Sequence, residues 1–258
     1  MLVFRRYRYF YGMKKKIQYG EKEIAYLKRV DPALGKIIDQ IGPVEREVIP
    51  DLFTSLVNAI VGQQISAKAA ETVWSRMVER FKEITPETIG TASVEDIQQS
   101  GMSMRKATYI KEAAQKVLNG ELDIAALETL SDEEVCKQLS ALNGIGVWTA
   151  EMLMTFSMQR PDIMSWDDLA IHRGLRMLYR HRKINKKLFE KYRRRYSPYN
   201  TVASLYLWTI AGGVGGLKDY APMTDAKKKQ IRKAKAQEKK KTKTKKDAEP
   251  NIVLSTEK

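Results

Sequence analysis

At 258 residues with 43% hydrophobic content, the chain can bury the core of one large domain or two small ones, and no run of about eighteen apolar residues exists to span a bilayer. One cysteine, Cys136, and two histidines exclude an internal disulfide, a cysteine zinc site, a four-thiolate iron–sulfur cluster and a His-cluster metal centre. The formal net charge of +15 is carried by the ends: residues 1–16 contribute +6, residues 227–246 contribute +11 against Glu238 alone, residues 247–258 contribute −2, and 17–226 is neutral.

The ends are therefore drawn to polyanions in a salt-dependent way, whereas any nucleic-acid footprint on the body must come from local placement of donors. The N-terminus lacks the apolar core and small-residue cleavage site of a secretion signal, so the expected compartment is the cytoplasm. Residues 1–16 interleave arginines with aromatics and read either as a nucleic-acid arm or as an extension ahead of a start at Met13.

From Glu21 the spacing of Ile24, Leu27 and Val30 predicts a helix ending near Asp31-Pro32. A second follows on Leu34, Ile37, Ile38 and Ile41, stopped by Gly42-Pro43. Asp51 caps a longer helix through Val61. Gly62-Gln63-Gln64-Ile65-Ser66 then makes a tight polar turn before a helix with Val73, Trp74, Met77 and Phe81 inward. Two amides on so short a turn either solvate it or probe something from outside. Thr85-Pro86, Ser93, Asp123 and Ser131 each read as helix starts, the last with capping-box spacing to Glu134. Lys106 to Leu118 is amphipathic and ends at Asn119-Gly120.

Leu142-Asn143-Gly144-Ile145-Gly146-Val147-Trp148-Thr149-Ala150 joins two helices through a Gly-x-Gly hairpin. Both glycines are expected to permit positive φ and close approach of backbone N–H groups to a phosphate, with the following helix N-terminus aimed at the same place. Downstream, Ser165-Trp166-Asp167-Asp168 precedes a helix on Ile171, Leu175 and Leu178, with Asp167 read as its N-cap and a carboxylate offered a fixed distance after the hairpin. Arg180 to Arg195 holds nine Lys or Arg against Glu190, either a solvated face or part of a DNA grip. Val202 to Ile210 is a buried helix, and Gly212 to Gly216 a stop rather than a phosphate loop. The Lys-rich segment from 225 to 258 is too apolar-poor to fold alone. With no alternating strand signal in the body, the fold class is all-α, of about ten helices.

Residues 142–150 with Asp168 resemble the helix-hairpin-helix of the base-excision DNA glycosylases. The resemblance is closest to the 3-methyladenine DNA glycosylase II branch, which is also similar at Val61-Gly62-Gln63-Gln64-Ile65-Ser66 and at Leu205-Tyr206-Leu207-Trp208. It covers about residues 20 to 220. It implies two helical subdomains with a cleft between them, within a domain at 17–224 whose hairpin occupies about 132–158. It also implies that Asp168 is the catalytic carboxylate, stabilising positive charge on the deoxyribose or orienting water. Trp148 stands where strand-nicking relatives have a Schiff-base lysine, which implies base release without a lyase step. Trp148, Trp208 and Met152 would line the base pocket, the two indoles attracting a cationic alkylated purine.

The resemblance further implies that Gly144, Ile145, Gly146, Val147 and Thr149 hold DNA, with Gln63 and Gln64 on the wedge turn. The carbonyls of Ser140, Leu142 and Ile145 would hold a monovalent cation together with DNA. His172 either contacts Asp168 or serves the structure. The implied partner is double-stranded DNA with damaged bases, bound by a monomer without an organic cofactor. The function implied is excision of N3- or N7-methylated purines. A glycosylase for deaminated, oxidised or mismatched bases, or a non-catalytic DNA-binding hairpin module, are the alternatives.

Overall fold

The computed structural model describes residues 15–222. The readings on the aromatic–basic arm and on the Lys-rich tail fall almost wholly on residues 1–14 and 223–258, outside those described. Among the described residues are twelve α-helices, one 3-10 turn at Ala126–Thr129 and a single isolated bridge, Lys16 to Glu47. The helical class expected from the sequence is therefore the one observed.

Helices α1 (Glu21–Val30) and α2 (Pro32–Ile41) open the chain, and α3 (Leu52–Gly62) and α4 (Ala67–Phe81) form the pair around the glutamine turn. Next come the short α5 (Pro86–Thr91) and α6 (Val94–Gln98), then α7 (Met104–Leu118) and α8 (Asp132–Ser140). The hairpin joins α8 to α9 (Val147–Phe156), and α10 (Leu169–Tyr179), α11 (Lys186–Tyr196) and α12 (Asn200–Ala211) complete the body. The starts follow local chemistry. Asp51 accepts from the Thr54 N–H at 2.7 Å, Ser66 from Ala69 at 3.2 Å, and Ser131 and Glu134 form a reciprocal capping box.

Two cores result. One is built from α3 to α9 around Leu56, Ile60, Met77, Ile89, Ile110 and Leu139. The other joins α1 and α2 to α10, α11 and α12 around Leu27, Leu34, Ile171, Leu175, Phe189 and Tyr206. The chain thus begins and ends in the same subdomain. Asp31 does more than end α1. It caps α2 by accepting from Ala33 and Leu34, and its other oxygen, almost fully buried, takes the Arg195 guanidinium at 2.6 Å and the Tyr179 hydroxyl at 2.5 Å. Breaking such a buried pair from one side leaves a stranded charge, so this contact holds the first two helices onto the last three.

α9 belongs to both cores. Ala150, Leu153 and Met154 pack into the first, and Met152 and Phe156 into the second. Its apolar residues point all round, as a helix enclosed on several sides requires. The residues that start α9 therefore lie where the two subdomains meet.

Candidate active site and nucleic-acid interface

Asp168, and not Asp167, is the N-cap of α10. Its Oδ1 accepts from the backbone N–H groups of Ala170 and Ile171 at 2.8 and 2.9 Å. Its Oδ2 accepts from two indoles, Trp148 Nε1 and Trp208 Nε1, each at 3.1 Å. One carboxylate thus ties together α9, α10 and α12, with a donor at each of its roughly four lone-pair positions. Asp168 is only 7% exposed, while Trp148 is 45% exposed and Leu169, the next residue along, 83%. Trp208 is buried and stacks on Phe156 at 5.5 Å between centroids, and Met152 lies buried one turn after Trp148. Of the sequence-assigned pocket residues, then, Trp148 alone offers a broad open face.

The two glycines of the hairpin have different tasks. Gly144 has φ +84°, and a Cβ there would meet Tyr109 Cδ2 at 2.5 Å. Gly146, expected to share the positive φ, has φ −88° and is the N-cap of α9, where a Cβ would meet nothing within 4 Å. Its value is the missing side chain: no cap group occupies the first-turn N–H groups of Val147, Trp148 and Thr149, so they stay open to an external acceptor. Ile145 is buried and anchors the loop through its N–H to the Leu142 carbonyl at 3.0 Å. Gly144→Ala is expected to cost ~1–3 kcal/mol of stability through its backbone strain and the Tyr109 contact, and to weaken DNA binding. Thermal unfolding and a duplex titration measure the two effects.

The glutamine turn is fastened to this hairpin. Gln63 Nε2 donates to the Gly144 carbonyl at 2.7 Å, which commits Gln63 to bracing the loop. Gln64, at φ +56°, and Ile65 form the exposed tip. Lys106 reaches under the turn to the carbonyls of Val61 and Gln63 at 2.9 and 2.5 Å, and burial, with Arg105 nearby, holds its ammonium below the usual range. Nothing in the sequence marked Lys106, because its role depends on α7 lying beside a turn some forty residues earlier. Asn143 adds a tie from the hairpin to Glu112 of α7 at 2.8 Å.

Other assigned residues sit apart from the chemistry. His172 Nε2 pairs with the Trp166 carbonyl at 2.8 Å and the ring edge meets the Trp166 ring, so its partner is Trp166 rather than Asp168. Burial lowers its pKa. The basic block is partly spent within the fold: Arg195 pairs with Asp31, Arg193 with Glu190 at 2.8 Å and Lys186 with Glu190 at 3.6 Å. Ser140 ends α8, and with the Leu142 and Ile145 carbonyls it supplies neutral oxygen donors of the kind hard cations take. The Ile145 N–H bonds the Leu142 carbonyl, an oxygen with a second lone pair. Among the described residues no group of three or more His, Cys, Asp or Glu could hold a metal, and no helix is long and apolar enough to cross a membrane.

A hairpin with open amides, a turn braced against it and a carboxylate fixed at the meeting of two helical subdomains can be compared with known proteins. Residues 57–198 match the family model described as the HhH-GPD superfamily base excision DNA repair protein. The chain belongs to this superfamily. Within it, the chain is 33% identical over 204 residues to DNA-3-methyladenine glycosylase 1 of Schizosaccharomyces pombe, covering 76% of this chain and 86% of that protein.

Among solved structures, a DNA-3-methyladenine glycosidase from Bacillus halodurans superposes with a TM-score of 0.68 at 36% identity, covering 77% of this chain and 93% of that one. The 3-methyladenine DNA glycosylase of S. pombe in complex with abasic DNA gives 0.62 at 31% identity, covering 78% and all of that chain. In this HhH-GPD protein, Asp168, Trp148, the hairpin and the glutamine turn all lie inside the matched span. Trp208 lies beyond it and reaches the site through the packing of α12 on α10.

Proposed function

We propose that this protein is a monofunctional DNA glycosylase that flips N3- or N7-methylated purines out of double-stranded DNA and hydrolyses the N-glycosidic bond, in base excision repair. The observation that carries the reading is the Asp168 carboxylate, fixed by four N–H donors beside an exposed indole. Relatives and structural neighbours named as 3-methyladenine glycosylases support the substrate class.

Breaking the bond sends its electron pair to the departing base and leaves positive charge on the deoxyribose. The bond to C1′ is then made by a water oxygen, which gives up a proton to solvent. Each Asp168 oxygen already accepts from two donors, which leaves no lone pair over to hold the attacking water, so Asp168 acts chiefly through its negative field on the sugar cation. Trp148 presents a ring face to the cationic purine, an attraction of about 0.5–2 kcal/mol. Because a cationic base leaves readily, no separate acid has to contact it. Trp148 has no amine to form a Schiff base, so the product is an intact abasic strand.

The open amides of Val147, Trp148 and Thr149, approached past the side-chain-free Gly144 and Gly146, would hold phosphate without regard to base sequence. The carbonyls of Ser140, Leu142 and Ile145 would hold a monovalent cation that offsets phosphate charge. Residues 17–224 form the catalytic domain, acting as a monomer, with the basic ends on either side serving as salt-sensitive tethers to DNA.

The deciding experiment incubates the protein with duplexes carrying methylated, deaminated or oxidised bases and assays free base and strand breaks before and after alkali. Release of methylated purines with breaks only after alkali is expected. Preference for deaminated or oxidised bases would move the substrate assignment, and breaks without alkali would overturn the Trp148 argument.

A further inference from the structure

Lys106, Tyr109 and Glu112, spaced three residues apart on α7, touch both loops that the proposed function puts on DNA. Lys106 Nζ donates to the Val61 and Gln63 carbonyls of the glutamine turn at 2.9 and 2.5 Å. Tyr109 lies against Gly144 so closely that no Cβ would fit there, and Glu112 accepts from Asn143 at 2.8 Å, both in the hairpin. Residues three apart are neighbours on a helix surface, so one helix carries the turn and the hairpin together.

Within its own helix Lys106 is badly placed. It stands in the first turn of α7, at the positive end of the dipole and directly after Arg105, with no acidic residue in that turn. What accepts its charge is the opposite end of another helix. Val61 is in the last turn of α3, where carbonyls lack partners inside the helix and the dipole is negative. The same ammonium steadies the strained part of the turn. Gln64 has φ +56°, a left-handed conformation that a residue other than glycine keeps only when its surroundings over-determine it. Lys106 holds the Gln63 carbonyl, in the peptide that enters Gln64, and Ser66 fixes the far side by capping α4 through the Ala69 N–H.

We propose that Lys106 is a positioning residue for base extrusion: it holds Gln64 and Ile65 in the shape that stands in the gap left by the flipped nucleotide, and so raises the share of bound DNA whose damaged base is extruded. This rests on the glycosylase reading. The ammonium is committed to the carbonyls of the turn, so it acts through them and not on the base. Its loss therefore slows those substrates whose extrusion is costly. Pairing and stacking set that cost, which is least for a base without a proper partner.

The test is single-turnover release of a methylated purine from two duplexes, one with the lesion opposite its normal pyrimidine and one with it opposite an abasic residue. Wild type, Lys106→Met, Lys106→Gln and Lys106→Arg are compared, each well below its own Tm. Lys106→Met is expected to slow release from the paired lesion by ~10–100-fold, the worth of one or two charge-assisted hydrogen bonds, and from the unpaired lesion by less than about threefold. Lys106→Gln, one bond shorter and uncharged, should fall between, and it supplies the same ratio should Lys106→Met not fold. Lys106→Arg, which keeps the charge and the donors, should return the paired rate to within about threefold of wild type. In the free proteins, backbone order parameters at Gln64 and Ile65 should drop in Lys106→Met and hold in Lys106→Arg. Equal loss on both duplexes, or loss on neither, overturns the proposal while wild-type release upholds the glycosylase reading. Absence of release from both wild-type reactions overturns that reading and the proposal with it, and the order parameters then still report whether Lys106 holds the turn.

Discussion

Asp168→Asn is expected to lower single-turnover base release by ~10²–10³ while binding to an abasic duplex is kept. The substitution removes the charge that faces the developing sugar cation and leaves the shape of the side chain. It does not leave the hydrogen bonds intact. The carboxylate accepts from two backbone amides and two indoles, so an amide must turn its NH2 toward one of those pairs. Buried Trp208 then loses its acceptor or the α10 cap is lost, at a cost of ~1–3 kcal/mol. The rate should accordingly be measured well below the variant's own Tm. Release undiminished under those conditions would remove Asp168 from the chemistry.

Gly174→Ala is expected to destabilise the protein by at least ~3 kcal/mol, although alanine in a helix interior normally gains stability over glycine. A Cβ at Gly174 would lie 2.4 Å from the Leu207 carbonyl oxygen and 3.0 Å from its Cα, and these are backbone atoms of α12 that no rotamer change can move aside. Forcing α10 and α12 apart also pulls Asp168 from Trp208, so base release should fall along with stability. Denaturant unfolding of the two proteins gives the first quantity. A variant as stable as wild type would show that the crossing is looser than its geometry implies.

Local chemistry was legible in the sequence, and long-range chemistry was not. Asp51, Ser66, Thr85, Ser93, Asp123 and Ser131 could be read as starts because a cap acts on amides two or three residues ahead. Asp167 and Asp168 compete for one cap within a single residue of spacing, and the choice is made by tryptophans twenty residues before Asp168 and forty after. Asp31 read as a helix end because its partners, Tyr179 and Arg195, lie about 150 residues away. The negative φ of Gly146 is not legible in the sequence, because Gly-x-Gly shows only that side chains are absent, not which glycine turns the chain. The expected helix at Lys106 begins two residues earlier, at Met104, since Ser103 caps it.

The bond from Gln63 to the Gly144 carbonyl makes the turn and the hairpin one rigid caliper. On the proposed function, with the hairpin on a phosphate, the tip carrying Gln64 and Ile65 would come to rest at a set number of nucleotides along the strand. On that reading, position along the strand would then be set by length before the base presented to Asp168 is tested for its identity.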